Sequence, residues 1–160
     1  MQNLNLPDYQ FNIKRQGESF IILDRLRQRF VALTPEEWVR QHFVEYLIRE
    51  KGFPGGLMGN EVSLVQNGIR RRCDTLVSDR YGRPLVIVEY KAPSVNITQA
   101  VFDQIVRYNM VLKARYLIVS NGLKHYCCAI DYSDNSYAFI PEIPAYDDLQ
   151  SSNVSSGTAR

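Results

Sequence analysis

The sequence predicts a mixed α/β fold, with one domain over residues 1–148 in which helices flank a sheet of parallel and antiparallel strands. Asn67-Gly68 lies between two β-like runs, and this dipeptide is a strong signal for a tight hairpin turn. A helical run over residues 97–113 precedes the apolar run 115–120, which predicts a parallel crossover from an earlier strand. The expected order over the core, residues 34–130, is therefore helix, three antiparallel strands, helix and strand.

Composition limits the kinds of protein that the chain can be. A length of 160 residues with 45% hydrophobic residues fits one domain with a single core. No apolar run reaches eighteen residues and no signal peptide is visible, and the three cysteines lack the spacing of a zinc site. We therefore expect reduced thiols, a cytoplasmic location and no membrane span. A net charge of +2 predicts local and modest binding to nucleic acid rather than coating of DNA.

An N-terminal β extension over residues 1–33 precedes the core. Residues 11–15 and 20–24 are β-like and are separated by a turn at Gly17, which predicts a hairpin. Arg25, Arg27 and Arg29 alternate with other residues, so that in an extended chain they would share one face. They would then contact phosphates, or they would form a solvated edge strand whose like charges oppose pairing with other chains.

The first long helix begins at Thr34-Pro35-Glu36-Glu37, with threonine at the N-cap and proline at the first helical position, and it is expected to end at Gly52. A helical wheel places Val39, Phe43, Tyr46 and Leu47 on the buried stripe. Glu36 falls on that stripe, so we expect it to point toward the sheet. Glu37 falls outside it and is assigned to a capping box with Thr34. Alternatively, both carboxylates only favour the helix dipole.

The stretch Leu85 to Pro93 carries the chemistry. An apolar run of strand length ends in Glu89 and Lys91, which project to one side because a strand alternates its faces, and Pro93 ends the ladder. A short hairpin through the turn-rich residues 78–84 would bring Asp74 next to Glu89. Two carboxylates and a lysine at a strand end suit a divalent metal, such as Mg2+ with Mn2+ as a substitute, acting on a phosphodiester.

Asp74 followed by Glu89-x-Lys91 resembles the PD-(D/E)xK nuclease pattern, with Cys73 at the position of the proline. The helix start at Thr34, the later Gln104-x-x-x-Tyr108 and then Asn121-Gly122 occur in the order that is typical of one branch of these nucleases. The chain is thus similar, over roughly residues 30 to 130, to the N-terminal nuclease domain of type I restriction enzyme R subunits in a small stand-alone form. The resemblance implies a restriction-endonuclease-like αβββαβ core, here with extra terminal hairpins.

The same resemblance implies a function and roles for individual residues. The expected metal ligands are Asp74, Glu89, the backbone carbonyl of Tyr90 and, directly or through water, Glu36. Lys91 would position the attacking water, and the pair Gln104 and Tyr108 would support the active site. The activity implied is Mg2+-dependent hydrolysis of DNA by an endonuclease of restriction or genome defence, with other restriction-modification subunits as partners.

The second helix leaves the role of that pair open from the residues alone. Val101, Ile105, Tyr108 and Leu112 form one apolar stripe, which makes Tyr108 a core aromatic, and Gln104 lies at its border. A second stripe predicts that the helix is covered on two sides, by the sheet and the N-terminal hairpin or partly by a homodimer contact. Upstream, Arg70 and Arg72 share parity with Asp74. They would bind DNA phosphates, or they would be surface residues that only influence Asp74.

The remaining residues extend the core. Residues 126–130 and 137–140 predict a late hairpin. Residues 151–160 are small and polar, and the tail over residues 149–160 is expected to be disordered. The sequence holds no Gly-x4-Gly-Lys-Ser/Thr loop, so we expect no ATP motor of its own. Two alternatives to an independent nuclease stay open: a module of this fold that binds nucleic acid or a partner without cutting, and a subunit active only inside a larger complex.

Overall fold

The structure is a computed structural model that describes residues 1–150. The two long helices are α1 (Pro35–Lys51) and α2 (Gln99–Asn109), with short 3-10 turns at Gly55–Leu57 and Met110–Leu112, and residues 146–150 are also helical. A small sheet contains β1 (Ile13–Gln16), β2 (Ser19–Asp24) and β3 (Arg29–Ala32). The strands of the large sheet are β4 (Met58–Gln66), β5 (Ile69–Ser78), β6 (Pro84–Tyr90), β7 (Tyr116–Ser120), β8 (His125–Asp131) and β9 (Ser136–Ile140).

The six strands of the large sheet follow one another in chain order, from β4 at one edge to β9 at the other. β6 and β7 are parallel, whereas the other neighbours are antiparallel. The predicted core order of helix, three antiparallel strands, helix and strand is therefore confirmed. Asn67 and Gly68 both have positive φ, 51° and 77°, which is the backbone that a two-residue hairpin turn requires.

Each face of the large sheet is covered by one helix. On one face α1 packs through Val39, Phe43 and Leu47 against Val86 and Val88 of β6. On the other face α2 packs through Phe102, Ile105 and Val106 against Ile87 and Leu117. Because alternate residues of β6 and β7 point to opposite faces, both strands are buried on both sides, as parallel strands usually are.

The caps of both helices follow the sequence signals. The hydroxyl of Thr34 accepts a hydrogen bond from the backbone N–H of Glu37 at 3.1 Å, and α1 ends at Gly52 with φ of 70°. Thr98 caps α2 in the same way through Val101. α2 is shorter than the predicted 97–113, because its last residues tighten into the 3-10 turn that ends at Lys113 with φ of 59°.

The prediction of an extended segment carrying Arg25, Arg27 and Arg29 on one face was wrong. Residues 25–28 form a turn between β2 and β3, and only Arg29 lies in a strand. The turn forms because the carboxylate of Asp24 accepts hydrogen bonds from the backbone N–H groups of Leu26 and Arg27. The N-terminal extension is consequently a three-stranded sheet rather than a hairpin with a charged edge.

The C-terminal part extends the large sheet through β8 and β9, which confirms the late hairpin. The tail predicted to begin at residue 149 starts inside a helical turn over residues 146–150, where Leu149 is buried. Residues 151–160, the rest of that tail, lie outside the described residues. Cys73, Cys127 and Cys128 are buried free thiols. No helix within residues 1–150 is long and apolar enough to span a membrane.

The segment before β1 crosses the end of the large sheet next to α1. Asn5 donates its backbone N–H to the carbonyl of Gly122 at 2.8 Å, and the indole of Trp38 donates to the carbonyl of Gln2 at 2.9 Å. Leu4 packs against the core below. An added Cβ at position 122 would lie 2.7 Å from a methyl group of Leu4, so the side chain of Leu4 would have to move.

Gly122→Ala should therefore cost more than a positive φ alone explains. Gly122 (φ 83°) and Gly17 (φ 62°) both have left-handed backbones, but a Cβ on Gly17 meets nothing within 4 Å. Alanine at either position loses about 1 kcal/mol of stability from its backbone. We expect Gly122→Ala to lose about 1 kcal/mol more, from displacement of Leu4, in urea unfolding. Equal losses for the two variants would show that the N-terminal segment does not pack as described.

Candidate functional site

The hairpin of β5 and β6 brings two carboxylates together, as the sequence predicts. Thr75 pairs with Val88, which places Asp74 directly opposite Glu89 on the neighbouring strand. One oxygen of Asp74 accepts a hydrogen bond from the backbone N–H of Tyr90 at 2.9 Å, and the two carboxyl groups are themselves hydrogen-bonded. Asp74 is thereby fixed against the end of β6, where the chain leaves the sheet.

This pairing is electrostatically costly for Glu89. Burial raises the pKa of Glu89 well above its ordinary value, and the hydrogen bond and negative charge of Asp74 raise it further. Lys91 acts in the opposite direction, and Glu36 adds to the increase. Because burial and the neighbouring carboxylate both disfavour the ionised form of Glu89, a positive charge between the two groups would be favourable here.

Two clefts adjoin the carboxylates. A cleft of about 250 Å³ is lined by Glu89, Lys91, Gln104 and Tyr108, together with Val101 and Ile105 of α2. A small pocket of about 30 Å³ is lined by Glu36, Arg40, Glu61, Asp74 and Tyr90. Since Asp74 contacts Glu89, the two clefts meet at the carboxylate pair. The residues predicted as catalytic or metal-binding are thus brought to one end of β6.

Tyr108 is a surface residue, and the prediction of a core aromatic was wrong. Its side chain is 44% exposed, because α2 buries Phe102, Ile105, Val106 and the polar Asn109 instead. The guanidinium of Arg71 lies 4.4 Å from the centre of the Tyr108 ring and donates to its backbone carbonyl. Gln104 is also exposed, so both members of the pair face the cleft rather than the interior.

The two glutamates at the start of α1 have different surroundings. Glu36 is exposed and lines the small pocket beside Asp74. Glu37 is buried, with 5% exposure, and accepts hydrogen bonds from Arg27, Arg40 and Gln41. Of the capping box predicted for Glu37, the hydrogen bond from its backbone N–H to Thr34 is present. The predicted return bond from its carboxylate was wrong, because nearby guanidinium groups bind that carboxylate more strongly than a backbone N–H would.

The two arginines of β5 are on the exposed part of the strand. Arg72, with a side chain 69% exposed, forms an ion pair with Glu61 at 2.7 Å. Arg70 is also exposed and lies two residues before Arg72 on β5, further from Asp74. Arg72 is thus engaged with a carboxylate of the small pocket, and its availability to a phosphate depends on exchange of that partner.

Arg40 is the residue of the site that the sequence did not indicate. It is 8% exposed, and its guanidinium donates to Glu37, to Glu61 at 2.8 Å and to the backbone carbonyl of Asp74 at 2.9 Å. Burial alone would lower the pKa of Arg40, but the hydrogen bonds and charges of Glu37 and Glu61 raise it. Glu61 has φ of 56° and lies opposite Asp74, where the pairing of β4 and β5 is interrupted.

A second chain of buried hydrogen bonds joins the N-terminal sheet to β6. Asp24 is fully buried and accepts a hydrogen bond from the side chain of Asn60 at 2.9 Å. The amide oxygen of Asn60 accepts from the hydroxyl of Thr75 at 2.6 Å, and the hydroxyl of Tyr90 donates to Thr75 at 2.9 Å. Arg27 connects these hydrogen bonds to those around Arg40, because it contacts both Asp24 and Glu37.

The donor set of the site limits the metals that it could hold. Within the described range, no group of three or more histidine, cysteine, aspartate or glutamate side chains could hold an ion. Two facing carboxylates beside backbone groups remain, and these are hard oxygen donors. Mg2+ is usually bound by one or two carboxylates, with water and substrate phosphates completing its shell. The residues present therefore fit Mg2+, or the similar Mn2+, better than zinc.

Comparison with known proteins identifies a family. The family model described as the type I restriction enzyme R protein N terminus matches residues 35–144. A solved structure described as a fragment of an HsdR subunit of a type I restriction enzyme from Vibrio vulnificus YJ016 matches with a TM-score of 0.55 and 20% sequence identity. That match covers 77% of this chain and 26% of the other, so the chain spans about a quarter of its length. No match was found among curated proteins.

Arg40→Ala tests whether the buried ion network supports the site. The variant leaves Glu37 without two charged hydrogen bonds in a buried position, which should cost about 3 to 5 kcal/mol in urea unfolding. The matched control is Arg49→Ala, whose side chain is 55% exposed and pairs with Glu45 on the same helix. That pair should contribute under about 1 kcal/mol. A similar small loss in both variants would show that the network does not stabilise the fold.

Glu89→Gln should make the metal-free protein more stable at alkaline pH. Folding raises the pKa of this carboxyl above its unfolded value of 4.5. The folded protein therefore loses stability as the pH rises above that value, because Glu89 ionises less readily in the folded state than in the unfolded state. Glutamine carries no such cost, so the variant should gain about 1 kcal/mol or more at pH 8, and little near pH 4.5. Urea unfolding in EDTA measures this, with exposed Glu18→Gln as the control. A loss of stability at pH 8 would refute the raised pKa.

Proposed function

The chain belongs to the family of the type I restriction enzyme R protein N terminus, and from this premise we propose that it is a metal-dependent nuclease that hydrolyses DNA phosphodiester bonds. The observation that supports this most is the end of β6. Asp74 and Glu89 face each other across two strands, and Lys91 follows two residues later beside the same cleft. A structural role does not call for two paired carboxylates and a lysine at one open strand end.

The proposed ion is Mg2+, which Mn2+ could replace. Asp74 and Glu89 would hold it with the backbone carbonyl of Tyr90, and Glu36 would bind directly or through water from the adjoining pocket. When bound, such an ion polarises a phosphate oxygen and makes its water a better nucleophile. It would also offset the repulsion from Asp74 that helps to raise the pKa of Glu89.

Lys91 has a different role in this proposal. Its backbone N–H donates to the carbonyl of Ser120 at 2.9 Å, which fixes the chain as it leaves β6. Its side chain lines the cleft with Glu89 and Gln104. We assign it to hold the attacking water in line with the phosphorus and to stabilise the charge that builds on the phosphate.

Gln104 and Tyr108 complete the wall of the cleft from α2. Both are exposed and neither is needed to fill the core, so their place beside Lys91 is free to serve the substrate. The amide of Gln104 would hydrogen-bond a phosphate oxygen or orient Lys91. The ring of Tyr108 would be held in place by the guanidinium of Arg71.

Substrate and partners are proposals of the same kind. DNA is the proposed substrate, with Arg70 and Arg72 on β5 as candidate contacts to its backbone, Arg72 after release from Glu61. Other restriction-modification subunits are the proposed partners, and activity only within such a complex is the second candidate. What favours this candidate is the description of the matching family, which is a part of the type I restriction enzyme R protein. Cytoplasmic location and a homodimer stay predictions.

Lys91→Ala should abolish cleavage without removing the metal. The lysine acts on water and phosphate, so we expect nicking of supercoiled plasmid in Mg2+ to fall at least about 100-fold. Calorimetry should show unchanged Mg2+ binding, whereas Asp74→Asn should lose most of it. Lys14→Ala, on the exposed strand β1, is the charge-matched control. Ca2+ should bind without supporting turnover, because its looser shell positions water poorly.

Undiminished nicking by Lys91→Ala would refute the assignment of this site. If the wild type binds no divalent metal at millimolar concentration even with DNA present, the chain is instead a binding module of the same fold. Nicking that appears only on addition of other restriction subunits would favour the second candidate.

A further inference from the structure

A cavity of about 430 Å³ lies at the opposite end of β6 from the carboxylate pair. Its walls include Gln66, Asp79, Arg83, Leu112, Lys113 and Arg115. Arg83 directly precedes β6, whereas Lys91 directly follows it. At the rise of an extended strand, these two positions are roughly 25 Å apart. The cavity is therefore separate from the proposed catalytic cleft.

The cavity has an excess of positive charge. Asp79 is buried, and its carboxylate accepts hydrogen bonds from the backbone N–H groups of Tyr81 and Arg83 and from the guanidinium of Arg83 at 2.9 Å. The charges of Asp79 and Arg83 thus balance each other locally. Lys113 and Arg115 remain, and neither forms an ion pair with a carboxylate within residues 1–150.

Arg115 has an unused donor here. Its Nη1 atom is buried and has no hydrogen-bond partner among the described residues. The backbone of Arg115 is held on both sides, by its own N–H to the carbonyl of Leu85 and by its carbonyl, which accepts from Ile130. A buried guanidinium N–H without an acceptor is unfavourable. Arg115 is part of the cavity wall, so a small rotation of its side chain toward the cavity would give this donor an anionic acceptor.

Lys113 is held in position by the backbone. It ends the 3-10 turn after α2 with φ of 59°, and its ammonium lies 4.5 Å from the centre of the Tyr132 ring. An ammonium group and a guanidinium group that line one cavity are typical donors to the oxygen atoms of a phosphate. A carboxylate ligand would use fewer of these donors.

We infer that this cavity binds a phosphate group through Lys113 and Arg115. The phosphate could belong to a DNA backbone or to a free nucleotide, since both present the same oxygens. For DNA the inference rests on the proposed function, and it adds an anchor roughly 25 Å from the scissile bond, or about seven base-pair steps of 3.4 Å. For a nucleotide it is independent of that function.

The test compares the wild type with Lys113→Gln, Arg115→Gln and the double variant, all in EDTA. The matched control is the double variant Lys14→Gln and Arg29→Gln, which removes one lysine and one arginine from the N-terminal sheet. Calorimetry measures binding of inorganic phosphate and of ATP. Fluorescence anisotropy measures binding of a 20-base-pair duplex over a range of salt concentrations.

We expect inorganic phosphate to bind the wild type and the control but not the Lys113 and Arg115 double variant. If DNA is the source, duplex affinity should fall about tenfold or more, and the slope of log affinity against log salt should decrease by about one. If a nucleotide is the source, ATP affinity should fall and duplex affinity should not. Equal binding of phosphate, ATP and duplex by wild type and double variant would overturn the inference.

Two further measurements keep the test independent of folding and of catalysis. Circular dichroism checks the fold of each variant, and Arg115→Lys keeps the charge while removing the fork, so phosphate affinity should fall but not vanish. Lys91→Ala should bind inorganic phosphate in this cavity like the wild type. Phosphate binding without any plasmid cleavage would remove only the proposed nuclease function, whereas cleavage without phosphate binding would remove only this inference.

Discussion

The buried guanidinium of Arg40 is the contact on which the candidate site depends most. It joins α1 to β4 through Glu61 and to β5 through the backbone carbonyl of Asp74, while Glu37 binds its other side. Burying such charges costs several kcal/mol per ion, and only well-formed hydrogen bonds on every side offset that cost. This requirement permits few arrangements of the three elements, so Asp74 is held in one position before any metal or substrate binds.

The parallel strands β6 and β7 at the centre of the sheet separate two groups of charged residues, one at each end of β6. A parallel connection needs a crossover helix, and α2 runs back over the sheet from the end that carries Lys91 to the end that carries Lys113. One end of β6 thus presents carboxylates, and the other presents Lys113 and Arg115, which form no ion pair with a carboxylate within residues 1–150. A polyanion lying along this side would meet both, with its reacting group at the acidic end only if a cation neutralises that end first.

The sequence predicted the features that depend on local chemistry. The start of α1 at Thr34 and the turn at Asn67-Gly68 depend only on groups within a few residues of each other. The pairing of Asp74 with Glu89 depends on the length of one hairpin. Strand alternation and the crossover rule then fixed the order of the sheet.

The features that failed depend on the position of other elements. A helical wheel gives the angle between residues but not the direction of the sheet, so Tyr108 was placed inside and the polar Asn109 was not. Glu37 was assigned to a cap because its partner Arg27 is brought to it only by the tertiary fold, and because the sequence does not show that Arg40, one turn later on α1, is buried beside it. Nothing in the pattern of α1 distinguishes a buried arginine from an exposed one.

The central claim is that Asp74 and Glu89 form a preorganised site for a divalent cation. The most direct measurement follows the carboxyl carbon of Glu89 by NMR through a pH titration, first in EDTA and then with saturating Mg2+. The account predicts a pKa of Glu89 well above the ordinary value without metal and a marked decrease with Mg2+, because the positive charge of the ion favours the ionised carboxylate. A Glu89 that titrates in its ordinary range and does not respond to Mg2+ would contradict the account.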